Sequence, residues 1–236
     1  MGASPIRPGE ALVGVFSAPS DTFARLLARP TWWLPFVLFV VLGVGSFAIL
    51  STRIDWERSG EDVLARQAAK TGRASAMNGE QLGPVMRMGV LATVPVGIVA
   101  QLFVVALALW AAERAFGGEA RYGGVLAIWA HANLANAVRA LLAVAVALAT
   151  PPASVSLTGI ERLVKSSAGA FLPEGAAPPV LAFLYSIDIF SLAALALLVV
   201  GFRRIKGVPP AAATALPIVL WLVFVFAKTG FAFLRG

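Results

Sequence analysis

Residues 179–207 read PVLAFLYSIDIFSLAALALLVVGFRRIKG, and this stretch decides the class of fold. From Pro179 to Phe202 it carries one charge, Asp188, before Arg203, Arg204 and Lys206 arrive together. At about 1.5 Å per helical residue, a run of this length crosses a hydrocarbon core of about 30 Å. An ionised carboxylate near its middle costs about 2.5–3.5 kcal/mol on insertion scales, so Asp188 must face protein or water rather than lipid. The stretch therefore predicts an all-α, polytopic membrane bundle with a buried acid among its helices.

Composition agrees. The 236 residues are 59% hydrophobic and only 13% charged, with a mean hydropathy of +0.84, well outside the range of soluble globular chains. With no cysteine and a single histidine, thiolate and imidazole metal sites are ruled out as an expectation, and no cofactor is predicted. The net charge of +7 reads as loop cations set against anionic lipid. No basic cluster is interleaved with aromatics as a nucleic-acid binder would need, so no nucleic-acid partner is expected. The first 30 residues lack a basic start followed by an apolar core, so no cleavable signal peptide is expected.

Working outward, four more apolar runs give five expected spans, at about 32–50, 89–112, 124–149, 179–202 and 212–234. Residues 1–31 form an expected amphipathic N-terminal segment that rests in the membrane interface, and residues 32–236 form the membrane domain. Between the first two spans lies the longest polar section, 51–87, with a short helix expected at 60–71. Ser59 and Asp62 are spaced there as a capping box, and Gly72 is the stop. Thr31 is the expected cap of the first span. Residues 150–178 read as a Pro/Gly/Ser/Ala-rich connector with a short amphipathic piece at 160–166.

The third span is the least lipid-like, because His131, Asn133, Asn136 and Arg139 interrupt it. At 100° per residue the last three share a sector of about 120°, a face that needs other helices around it. With Gln101 on the second span and Tyr185 and Asp188 on the fourth, they compose an expected intramembrane polar cluster. Asp188 and Arg139 are expected to pair, since Lys228 lies near enough to a span end to reach the interface. A Ser–His pair drawn from Ser186 or Ser191 with His131 has no motif behind it, and one deep acid does not make a di-aspartate site. No catalytic residue is therefore assigned.

With the N-terminus inside, the inside segments hold eight Lys/Arg and the outside ones nine, so raw counts do not orient the chain. The eight crowd short connectors at span ends, where the bias acts, which places the N-terminus in the cytoplasm and the C-terminus outside.

The order of FSAPSDTFARLLARPTWWLP, GGEARYGGVLAIWAHANL and SIDIFSLAALALLVVGFRRIKG resembles the bacterial branch of the Yip family, the Ypt/Rab-interacting membrane proteins. The similarity covers roughly residues 10–234. Its most specific residues are Gly117 and Gly118, Asp188 and Phe190, and Gly201, Lys206 and Gly207, although Ala193 and Ala194 stand where a tryptophan is expected. The resemblance implies five membrane helices, a cytoplasmic N-terminus and a non-catalytic role in organising partners. Its partners would be the lipid bilayer of the bacterial inner membrane and another membrane complex. An ABC-type exporter comes first, since this chain has no nucleotide-binding motif. A small GTPase comes second, because little chain precedes the first span. The alternative reading is a small permease or proton-coupled channel using Asp188, Arg139 and His131.

Overall fold

The computed structural model describes residues 6–173 and 176–235; residues 1–5 of the expected N-terminal segment, 174–175 and Gly236 lie outside it. Two short helices, α1 (Pro8–Ser17) and α2 (Pro19–Ala28), lead into α3 (Trp33–Ser51). Then come α4 (Trp56–Thr71), α5 (Gly79–Ala115), α6 (Tyr122–Ala132) and α7 (Leu134–Ala149). Two 3₁₀ turns, Leu157–Arg162 and Ala168–Phe171, precede α8 (Pro178–Ser186), α9 (Ile189–Phe202) and α10 (Pro210–Arg235). The fold is an all-α membrane bundle. Among the described residues, four segments are long and apolar enough to cross a bilayer, namely α3, α5, α6 with α7, and α10.

The fourth expected span, 179–202, is not one helix. It breaks at Ile187, between α8 of 9 residues and α9 of 14. At 1.5 Å per residue α9 rises about 21 Å, short of a hydrocarbon core, so the break falls inside the apolar stretch. Broken backbone at that depth needs partners for every polar group. The connector supplies two of them: Ala168 N–H donates to the Ile187 carbonyl at 3.3 Å, and Ile189 N–H donates to the Ser166 carbonyl at 3.1 Å. The connector 150–173, expected as a loose link, is thus folded against the bundle. Its start is clipped too, with Asp55 N–H donating to the Val155 carbonyl at 2.8 Å.

The polar section before α5 also differs from expectation. α4 begins at Trp56, a turn before the predicted start, because Asp55 rather than Ser59 caps it, its side chain accepting Arg58 N–H at 3.0 Å. Ser59 is drawn off to accept Leu157 N–H from the connector at 3.0 Å. Gly72 ends the helix at φ +67°, as its position implied. α5 runs 37 residues, about 55 Å, so its first turns continue beyond the apolar run as an arm against which α4 packs. The two backbones touch through glycine: a Cβ at Gly83 would lie 2.8 Å from the Trp56 carbonyl oxygen. Gly83→Leu is therefore expected to detach α4 while leaving the spans helical, read as faster proteolysis within 56–78 with unchanged far-UV helicity. Thr31 is not the cap of α3, which starts after Trp32 without a side-chain cap.

The tightest packing lies at one end of the bundle. Phe23, Leu26, Ile128 and Phe202, from α2, α6 and α9, are fully buried together. α1 contributes Ala11 and Val15, also fully buried, so the two N-terminal helices plug this end of the bundle. Elsewhere the spans face lipid, and only 11% of the most apolar window of α5 is buried inside the protein.

Candidate functional site

The break between α8 and α9 is where the polar residues meet. Asp188 is the N-cap of α9, its Oδ1 accepting the Phe190 and Ser191 N–H groups at 2.9 and 3.2 Å. Its Oδ2 accepts the Ser166 hydroxyl and lies 3.4 Å from Arg139 Nε, an ion pair without a formed hydrogen bond at that nitrogen. The Asp188 side chain is 2% exposed. Arg139 reaches the other way as well, its Nη2 donating to Glu161 Oε2 at 2.7 Å. One arginine thus stands between two acids.

Glu161 and Ser166 were not legible as members. Both lie in the connector, and nothing local in sequence says that it folds back onto the span break; the acid inside the amphipathic piece at 160–166 was the one available signal. The amides of α6 and α7 turn out to serve their own helix. Asn133 Nδ2 donates to the Trp129 carbonyl at 3.1 Å, and Asn136 Nδ2 donates to Asn133 Oδ1 at 3.1 Å. These bonds hold the junction at Asn133, where α6 gives way to α7. His131 is fully buried, with Nδ1 2.8 Å from the Ala127 carbonyl oxygen, and does not line the space beside Arg139.

That space is a half-open cavity of about 440 Å³ between α5, the α6–α7 junction, α8, α9 and α10. Gln101, Asn133, Asn136, Arg139, Glu161 and Tyr185 bring polar groups to it, and Lys228 of α10 joins them. Leu109, Leu198, Leu220 and Trp221 are among its apolar walls.

The remaining sequence-picked residues gather at the opposite end of the bundle. Gly117 and Gly207 adopt φ +85° and +82°, and Glu119 N–H donates to the Lys206 carbonyl at 3.0 Å, so the α5–α6 and α9–α10 turns are clipped backbone to backbone. A side chain at Gly118 would collide with the Glu113 carboxylate, and one at Gly201 with Ile128, which lets α9 lie close on α6. Arg204 Nε donates to Ser20 Oγ at 2.7 Å and ties the same end to α2. Phe190 lies with Asp188 at the break, contributing its N–H there. The picked residues therefore form two sites: a polar node at the break and a glycine clip at the plugged end.

A span broken at Ile187 and bonded there to a folded-back connector, beside four segments long and apolar enough to cross a bilayer among the described residues, defines a polytopic helical membrane protein with a polar node inside the bundle. A family model, the Yip1 domain, matches residues 13–229, and the chain belongs to that family. It is similar to "Membrane protein YknW" of Bacillus subtilis (strain 168), at 26% identity over 214 residues, covering 91% of this chain and 86% of the relative. No solved structure matches it.

Proposed function

We propose that this chain is a non-catalytic accessory or assembly factor of the bacterial inner membrane that binds another membrane complex. An ABC-type exporter is the first partner to test and a small GTPase the second. The observation that carries the reading is the α4–α5 arm. It stands off the end of the spans and leaves Val63, Met77, Val85 and Met88 exposed, at 42–74% of their free surface, amid polar residues. Apolar side chains rimmed by charge suit a protein contact. Residues 8–29 are the second contact surface: α1 and α2 bury Ala11, Val15, Phe23 and Leu26 in the core but leave Val13 and Phe16 exposed. Asp188 is engaged by two backbone amides, a hydroxyl and a guanidinium, the occupation of a structural carboxylate rather than of a catalytic one.

The test is affinity purification from native membranes after crosslinking. Arg66→Glu with Lys70→Glu, both on the exposed side of α4, is expected to cut recovery of the partner severalfold while the spans stay folded. The reading fails if the purified protein alone moves a solute or protons in liposomes at a rate abolished by Asp188→Asn. That outcome would favour the permease reading, which the cavity beside Arg139 keeps in play.

Orientation has its own check in a chain free of cysteine. An impermeant thiol reagent on spheroplasts is expected to label Ser75→Cys and Pro152→Cys but spare Phe116→Cys and Lys206→Cys, all exposed positions. Gly118 and Gly207 are unsuitable reporters, since neither has room for a side chain. The reverse pattern would invert the topology.

A further inference from the structure

Lipid-facing helices normally keep their polar groups satisfied, yet the cavity beside α10 holds several that are not. Among the described residues, the Gln101 amide, the Tyr185 hydroxyl and the Lys228 ammonium make no hydrogen bond or ion pair. The buried indole N–H of Trp129 has no acceptor either. All four can donate. The formal charges of Arg139, Lys228, Glu161 and Asp188 cancel, but both acids are bound at Arg139 and neither at Lys228, so the demand for a negative, acceptor-rich group is local to Lys228 and the Gln101 and Tyr185 donors.

The rest of the cavity asks for hydrocarbon. The Phe183 and Phe226 rings, 6.4 Å apart, set the end of α8 level with the Lys228 part of α10. From there to Pro217 the wall runs eleven residues, about 16 Å, past Phe224, Trp221 and Leu220. Val104 on α5 is 63% exposed and Phe224 on α10 is 56% exposed although both line the cavity, which places its opening sideways, between α5 and α10.

We propose that this cavity takes one membrane lipid with an anionic head, entering between α5 and α10. The head meets Lys228, Gln101 and Tyr185, and an acyl chain lies along Leu220, Trp221 and Leu198. This site is independent of whether the α4–α5 arm binds a protein.

The test uses the full chain in phosphatidylcholine nanodiscs doped with phosphatidylglycerol carrying a diazirine on one acyl chain. After irradiation, adducts are expected to concentrate within 104–109 and 217–224 and to saturate at one lipid per protein. Ala108→Trp and Val104→Trp, made at exposed lining positions so that the fold is kept, are each expected to remove most of that labelling with monodisperse elution unchanged. Lys228→Gln is expected to lower labelling by roughly fivefold, to the level of a phosphatidylcholine probe, as fits the loss of one cation near a lipid head. Adducts spread evenly over outward residues such as Val96 and Phe233 would mean annular lipid only and would overturn the site. So would full labelling in both folded tryptophan variants. Equal labelling of the wild type by the two probes would overturn the anionic head.

Discussion

Gly207→Ala is expected to abolish accumulation of folded protein, whereas Gly72→Ala is expected to lower stability only slightly. Both glycines have positive φ, +82° and +67°, so both substitutions carry the left-handed backbone cost of about 1–2 kcal/mol. The surroundings separate them. Nothing lies within 4 Å of a Cβ at Gly72, while one at Gly207 would collide with the carbonyl oxygen of Gly117. A backbone atom cannot rotate away as a side chain does, so relief requires opening the turn. Opening it loses the Glu119–Lys206 hydrogen bond and separates the α5–α6 and α9–α10 turns that close the plugged end. Fluorescence-detected size-exclusion of both variants in mild detergent checks the contrast, and equal yields would show that the clip does not hold the bundle.

At the polar node, Asp188→Leu is expected to be the most damaging single change, worse than Arg139→Gln and much worse than Asp188→Asn. Leucine leaves the Phe190 and Ser191 N–H groups without an acceptor and strips Arg139 of one of its two acids. Orphaned buried donors cost about 1–3 kcal/mol each. Breaking a buried ion pair adds about 3–5 kcal/mol where the remaining charge has no other partner. Glu161 softens that second cost, because it still holds Arg139 at 2.7 Å. Asparagine keeps an oxygen for the cap, so Asp188→Asn pays mainly for the weakened ion pair. The double change Asp188→Asn with Arg139→Gln is expected to recover part of the loss of Arg139→Gln alone, since it removes one of two acids that would otherwise face each other. Thermal unfolding of the purified variants measures this; strict additivity would show that Arg139 and Asp188 are not coupled.

The two node members that escaped sequence reading explain each other. Arg139 was legible because a guanidinium inside an apolar run must have a partner, and Asp188 because a carboxylate there must too. Glu161 and Ser166 lie in a stretch whose composition is that of a link. They become partners because the connector folds onto the break at Ile187 and bonds backbone groups freed there.

Hydropathy and charge in the sequence determined that the chain is an all-α membrane protein, where its apolar runs lie, and that its polar residues had to turn inward. Those conclusions rest on the cost of exposing charge to hydrocarbon, which is a property of residues one at a time. The glycines of the two turns were also visible in sequence, but that they clip together was not, because a close backbone approach is a property of a pair far apart in the chain. Only the tertiary structure decided that the apolar run 179–202 breaks at its acid. Asp188 there exchanges the role of a lone buried charge for that of a helix cap, held by a connector that reaches it from more than twenty residues away. A hydropathy pattern reports how apolar a segment is; whether its backbone stays helical depends on which distant groups stand ready to pair with it.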